Sequence, residues 1–147
     1  MPEVAFHTGI ADKGGYVCRL LRKAYRQGRQ VVVTGESGQL DRLDLLLWTF
    51  EQTDFVPHLR MRAADAPATP LRRTPIWIAD EPAQAQARDV LVNLGPGWPE
   101  GFADFARVIE IVGDEAEDVA SGRERWRRYR AAGAEPTHAR APASGSP

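Results

Sequence analysis

In Gln30-Val31-Val32-Val33-Thr34, followed by Gly35, the four residues from Val31 to Thr34 are an unbroken run of β-branched side chains. A run with no polar alternate positions predicts a strand covered on both faces, as strands are in a parallel sheet, with the glycine marking its exit. The flanks agree. Upstream, Val17, Leu20, Leu21, Ala24 and Tyr25 recur at helical spacing within Asp12 to Gln27, and Gly28 follows as a C′ signal. Downstream, a second helix is predicted from Ser37 to Trp48 with Leu40, Leu43, Leu47 and Trp48 facing inward. Glu3 to Thr8, Pro75 to Ala79, Asp89 to Leu94 and Arg107 to Val112 read as further strands. Residues 63–75 read as a Pro- and Ala-rich surface loop, Gly95 to Pro99 as a turn and Phe102 to Phe105 as a short helical turn. Strands alternating with helices predict an α/β fold, a three-layer α/β/α domain around a mainly parallel sheet.

The chain closes with a different signal. Arg123-Glu124-Arg125-Trp126-Arg127-Arg128-Tyr129-Arg130 packs five arginines, two large aromatics and one acid into eight residues. Asp114, Glu115, Glu117 and Asp118 precede it, so acids lie at the positive pole and arginines near the negative pole of one helix from Glu115 to Ala132, with Asp114 as N-cap and Gly133 as C′. Arg123, Trp126, Arg127 and Arg130 are at i, i+3, i+4 and i+7, which sets a wide ring among guanidinium groups on one face. That face suits an acidic peptide ending in an aromatic residue, or single-stranded nucleic acid. The plainer alternative is a solvated helix face, with Glu124 and Arg128 forming an ordinary i, i+4 pair.

At 147 residues and 43% hydrophobic composition the chain predicts one domain, residues 1–133, and a disordered tail of Pro, Ala, Ser and Gly, residues 134–147. The net charge is −1, and the Arg123 to Arg130 segment holds five positive and one negative charge, so the remainder carries −5. Basic character this local favours a small anionic target over a long nucleic acid. Cys18 sits alone in an apolar helical pattern and reads as a core residue. Neither a signal peptide nor an apolar run of the ~20 residues that span a bilayer is visible, so a cytoplasmic location is expected.

Catalytic chemistry finds little footing. Gly9 and Gly14 have the spacing that opens a phosphate-binding loop, but Gly15 and Tyr16 stand where Lys and Ser or Thr would follow. The strand Val90-Leu91-Val92 ends in Asn93 rather than a magnesium-binding acid. No Gly-x-Gly-x-x-Gly follows either early strand, and His7, His58, His138 and Cys18 lack metal-ligand spacing. His7 reads as structural. No cofactor, metal or catalytic residue is nominated.

With these segments in place the chain resembles the chi subunit family of bacterial DNA polymerase III holoenzyme. The likeness is carried by Phe6 with Thr8-Gly9, by Leu43-Asp44-Leu45-Leu46-Leu47-Trp48 leading into Phe55-Val56-Pro57-His58, by Asp89 to Leu94, and by Arg123 to Gly133. The resemblance implies a Rossmann-like fold without nucleotide-binding residues and a non-catalytic accessory of the clamp loader, a monomer or a heterodimer with psi. It implies two partners, the psi subunit and the acidic C-terminal tail of single-stranded DNA-binding protein, which ends in Pro-Phe; association with single-stranded DNA is then indirect. On this resemblance the tail-binding positions are Val112, Arg123, Trp126 and Arg127, with Trp126 where other members carry Tyr and Arg127 where they carry Lys. A basic residue one turn earlier is replaced by Val119, and Arg130 is the candidate to compensate. Trp48 and Phe55 are the psi-binding candidates, because a Trp at a helix end beside a loop aromatic makes a docking patch; the alternative places both in the core.

Two rival functions stay open on the sequence. A direct single-stranded nucleic-acid binder would stack bases on the same Arg and Trp face and show a steep salt dependence. A small nucleotide-dependent enzyme would need phosphate contacts that the sequence does not display.

Overall fold

Alternate residues of the valine run face opposite layers, which is why the run is apolar throughout. Val31 and Val33 join one buried cluster with Val17, Leu21, Leu40, Leu43 and Leu47, while Val32 joins a second with Phe6, Trp77, Leu91, Val112 and Tyr129. The structure, a computed structural model, describes residues 1–49, 55–62, 74–85 and 88–140. Its elements are β1 (Glu3–Ile10), α1 (Lys13–Arg26), β2 (Val31–Thr34), α2 (Ser37–Thr49), β3 (His58–Met61), β4 (Ile76–Ala79), β5 (Val90–Asn93), β6 (Arg107–Gly113), α3 (Ala116–Ala131) and β7 (Thr137–Arg140). Among the described residues the sheet has seven strands in the order β3-β4-β2-β5-β6-β1-β7, and each neighbouring pair is parallel. Helices α1 and α2 cover one face and α3 the other, as the alternation predicts.

Two strands escape the sequence reading. The four-residue strand β3 is partly polar, His58-Leu59-Arg60-Met61, and is held as an edge strand by Arg60, which donates to Asp41 at 2.9 Å and to Asp80 at 2.7 Å. The expected disordered tail also needs correction over its first part. Ala134 is buried, and Thr137 to Arg140 pair with Ala5 to Thr8 of β1. All four residues of β7 are exposed, so the strand is held through main-chain pairing at a sheet edge and carries no apolar alternation to betray it. Residues 141–147, and most of the predicted 63–75 loop, lie outside the described residues.

The helix ends match their signals closely. Asp12 caps α1, accepting from Gly15 N at 3.1 Å. Glu115 rather than Asp114 is the N-cap of α3, one residue later than predicted, and Gly133 follows its C-cap at φ 96°. Cys18 is buried, and desolvation, aided by Asp12, pushes its thiol up to about 12, far from reactive.

His7 supplies a pH test of the fold. Its Nδ1 lies 2.6 Å from the Tyr16 hydroxyl, and burial first, then the Arg107 charge, lowers its pKa below the ordinary 6.5. A depressed histidine binds its proton more readily in the unfolded chain, so stability rises with pH there and is lost as pH falls from 6.5 toward the folded value. Urea midpoints measured between about pH 7 and pH 5 should therefore fall for the wild type, and His7→Gln should flatten that slope. An unchanged slope in the variant would show that another group carries the loss.

Candidate functional site

A polar row runs across the buried α3-facing side of the sheet and decides how the closing helix sits. Thr34, Asn93 and Glu110 are register neighbours on β2, β5 and β6. Thr34 Oγ1 donates to Asn93 Oδ1 at 3.0 Å, and Asn93 Nδ2 lies 3.1 Å from both carboxylate oxygens of Glu110. From α3, Arg125 Nε donates to Glu110 Oε1 at 2.8 Å and the Tyr129 hydroxyl to Oε2 at 2.6 Å. Glu110 is fully buried and Arg125 is 3% exposed. Burial pushes the Glu110 carboxyl up, while Arg125, Tyr129 and Asn93, all donating to it, pull the other way. Burial and the neighbouring Glu110 together drive the Tyr129 hydroxyl far above its ordinary value, so it remains a donor. Ser121 Oγ and Pro96 O accept from Arg125 Nη1 at 2.5 and 3.2 Å. The helix is thus fixed in rotation about its axis by buried ionic and hydrogen-bonded contacts.

That rotation places Trp126 and Arg123 over the end of β6. Trp126 packs edge-on against Phe6 with centroids 5.1 Å apart. Gly122 lets α3 approach the sheet, since a Cβ there would lie only 2.9 Å from Val112 Cγ2. The result is a groove of about 550 Å³ with Val112 and Phe6 in its floor, Val119, Arg123 and Trp126 on the α3 side, and His138 and Arg140 on the β7 side. Val119, where the family resemblance would have a base, adds apolar wall instead.

The expected single basic face is divided. Val112, Arg123 and Trp126 come together, but Arg127 lines a separate groove with Pro96, Trp98, Ser121 and Arg128. Consecutive helical residues are turned by about 100°, so Trp126 and Arg127 point to different sides of α3. Arg127 forms an ion pair with Glu124, in place of the predicted Glu124–Arg128 pair. Arg128 instead reaches Glu100 at 3.4 Å and lies over the Trp98 ring at 4.5 Å. Arg130 is exposed and lines neither groove. Arg125, which the sequence reading counted among the basic cluster, belongs to the interior. Arg140 and His138 were missed because they lie in the segment read as disordered.

Trp48 and Phe55 form the second candidate surface. The inward orientation predicted for Trp48 is corrected: it is 59% exposed and Phe55 51%, because Leu40, Leu43 and Leu47 already fill the buried side of α2. The two rings stack with centroids 5.0 Å apart, beside Leu45 at 67% exposure. His58 supports them from beneath, 5.1 Å from Trp48, with its Nδ1 bonded to Val56 O at 2.7 Å and Nε2 3.1 Å from Asp44. Exposed aromatics held in place are well suited to a partner protein.

At the start of α1, where a phosphate-binding loop would act, the chain's own carboxylates occupy the donors. Asp12 takes Gly15 N, Asp118 takes Gly113 N at 2.6 Å, and Lys13 Nζ is engaged by Leu94 O at 2.6 Å and Asp118 at 3.0 Å. Among the described residues no cluster of three His, Cys, Asp or Glu side chains could hold a metal ion. No helix among them is long and apolar enough to cross a membrane.

The sequence profile of the family described as DNA polymerase III chi subunit, HolC, matches residues 1–137. The chain belongs to this family. DNA polymerase III subunit chi of Pseudomonas aeruginosa is 35% identical over 118 residues, covering 79% of this chain and 78% of the relative. The Escherichia coli subunit of the same name is 30% identical over 127 residues, 85% of this chain and 83% of the relative. That of Haemophilus influenzae is 29% identical over 117 residues, covering 79% and 78%. Membership places the chi-family chain in the DNA polymerase III assembly as an accessory subunit of DNA replication. As a subunit of that assembly it has protein partners within it. The match ends at the first residue of β7.

Proposed function

We propose that this chain is an adaptor, tying the clamp loader, through psi, to the acidic C-terminal tail of single-stranded DNA-binding protein. The observation that carries this reading is the convergence of Arg123 and Trp126 on Val112 in one open groove. An apolar floor with cations at its rim fits a peptide that ends in phenylalanine and bears carboxylates. Burying that ring contributes about 1.5–3 kcal/mol, and charge-assisted bonds to its carboxylate roughly 1.5–3 kcal/mol more. A single tail then binds weakly, since a ~1 μM complex needs about 8 kcal/mol net of ordering costs. Several tails on one coated strand raise the effective affinity.

Trp48 and Phe55 are the psi-binding pair in this scheme. They belong to α2 and the segment entering β3, on the opposite face and the opposite edge of the sheet from the groove. Two partners can therefore dock at once without competing for surface, which a bridge requires. Direct nucleic-acid binding is less favoured, because Arg125 is buried and Arg127 and Arg128 are paired with acids.

Titration with a fluorescent acidic peptide ending in Asp-Ile-Pro-Phe, with the same peptide lacking Phe, and with oligo-dT tests the groove. Binding confined to the intact peptide and lost in Trp126→Ala is expected. Binding to oligo-dT alone would replace this reading by the nucleic-acid one. Copurification with psi tests the other surface: Trp48→Ala with Phe55→Ala should abolish it while changing stability by no more than about 1 kcal/mol, as surface substitutions do. Undiminished psi binding would remove the aromatic pair from the proposal.

A further inference from the structure

Edge strand β7 forms one side of the groove over Val112, and its last residue is seated by a glycine. Gly9 adopts φ 70° near the end of β1, where the register with β6 shifts. A Cβ at Gly9 would lie 3.3 Å from Arg140 Cγ and 3.4 Å from both Cζ and Nε, so the Arg140 side chain rests along bare backbone. Thr8, the register partner of Arg140, has its Oγ1 2.5 Å from His138 Nε2, which ties β7 to the groove floor by a side-chain bond as well. Arg123 and Arg140 thus address the same apolar floor from α3 and from β7. Unlike Arg125, Arg127 and Arg128, neither enters an ion pair among the described residues. Residues 138–140 lie beyond the segment that matches the family profile.

We propose that Arg140 is a specificity-determining residue of this groove, binding carboxylates of an acidic peptide from the side opposite Arg123. The assignment rests on the peptide-binding reading above. One guanidinium is matched to one carboxylate in a bidentate fork, so a terminal carboxylate on Arg123 leaves the acids earlier in the peptide in need of a second cation. Arg127, turned to the other side of α3, does not line the groove. Arg140 does, and its packing along Gly9 limits the freedom lost on binding.

The test uses the full chain with two peptides that both end in phenylalanine, one with its aspartates intact and one with them replaced by asparagine. Arg140→Ala should weaken the acidic peptide about tenfold or more, Arg140→Glu should weaken it further, and Arg140→Lys should recover part of the loss. Arg140→Ala and Arg140→Lys should lose far less affinity for the asparagine peptide than for the acidic one, a difference that a merely structural role for β7 would not give. Wild-type affinity of Arg140→Glu for the acidic peptide, or an equal loss on both peptides, would overturn the assignment while leaving the groove in place. Loss of acidic-peptide binding in Arg123→Ala alongside an unaffected Arg140→Glu would identify that case. A wild-type chain that binds neither peptide would overturn the peptide-binding reading itself, and this assignment with it.

Discussion

Arg125→Ala is expected to destabilise the fold by about 3–5 kcal/mol, the cost of stranding a buried charge without its partner. Glu110 has no solvent exposure, and Arg125 is the cation bonded to it, at 2.8 Å. Because the pair also had to be desolvated, the double variant Glu110→Gln with Arg125→Met, which removes both charges and keeps an acceptor for the Tyr129 hydroxyl, should be closer to the wild type than the single change is. Urea denaturation of the three proteins measures both effects. A loss below about 1 kcal/mol in Arg125→Ala would mean that water reaches Glu110 and that the pair does not anchor α3. The double variant also separates stability from function. With the ionic anchor gone, α3 is freer to rotate over β6, and Trp126 and Arg123 are less well placed above Val112, so peptide binding should suffer even where folding does not.

Asn93→Asp should be comparably damaging, about 4 kcal/mol at neutral pH, the cost of keeping in the fold a proton that the unfolded chain releases about three pH units lower. The substitution is nearly isosteric, but it replaces the Asn93 Nδ2 donor, 3.1 Å from both Glu110 oxygens, with a second acceptor. It also removes the donor that bonds Gly97 O at 3.0 Å. Two buried carboxylates at that distance cannot both ionise, so the folded variant holds a proton that the unfolded chain releases near its ordinary carboxylate pKa of about 4. The folded state then binds more protons than the unfolded one, and stability falls as pH rises through the raised value of the pair. The variant should be rescued by acid relative to the wild type, with denaturation midpoints converging as pH drops toward about 5. A pH-independent deficit would point to lost packing at Asn93 rather than to charge.

Asn93 also shows why absence of a motif residue in sequence has two meanings. From the sequence, asparagine at the end of β5 signals only that a magnesium-binding acid is missing. In the fold, the side chain has a positive task, since its amide satisfies the buried Glu110 and fixes the turn at Gly97. An ionised aspartate could do neither.

The valine run, the helical periodicities of α1 and α2 and the glycines at helix ends made the layered α/β fold legible, because each is a local pattern read by local sterics and by burial on one or two faces. The closing Arg-rich helix and the segment from Leu43 to His58 carried the family likeness in the same way. Where a short strand relies on main-chain pairing with a distant partner, as β7 does with β1, sequence offers no periodicity to read. The fate of the arginines was equally out of reach. Five of them stand within eight residues, yet one is buried on Glu110, two pair with Glu124 and Glu100, one is exposed outside both grooves and one faces the groove.

The sequence by itself determined the layers, the helix limits to within a residue or so and the family. The tertiary structure decided which cations are available, that Trp48 points outward, and that Arg140 joins Arg123 across Val112. The division has a physical cause: secondary structure follows from neighbours along the chain, whereas a charged side chain is neutralised or left free by whatever the sheet brings beside it, here Glu110 from β6 and Gly9 from β1.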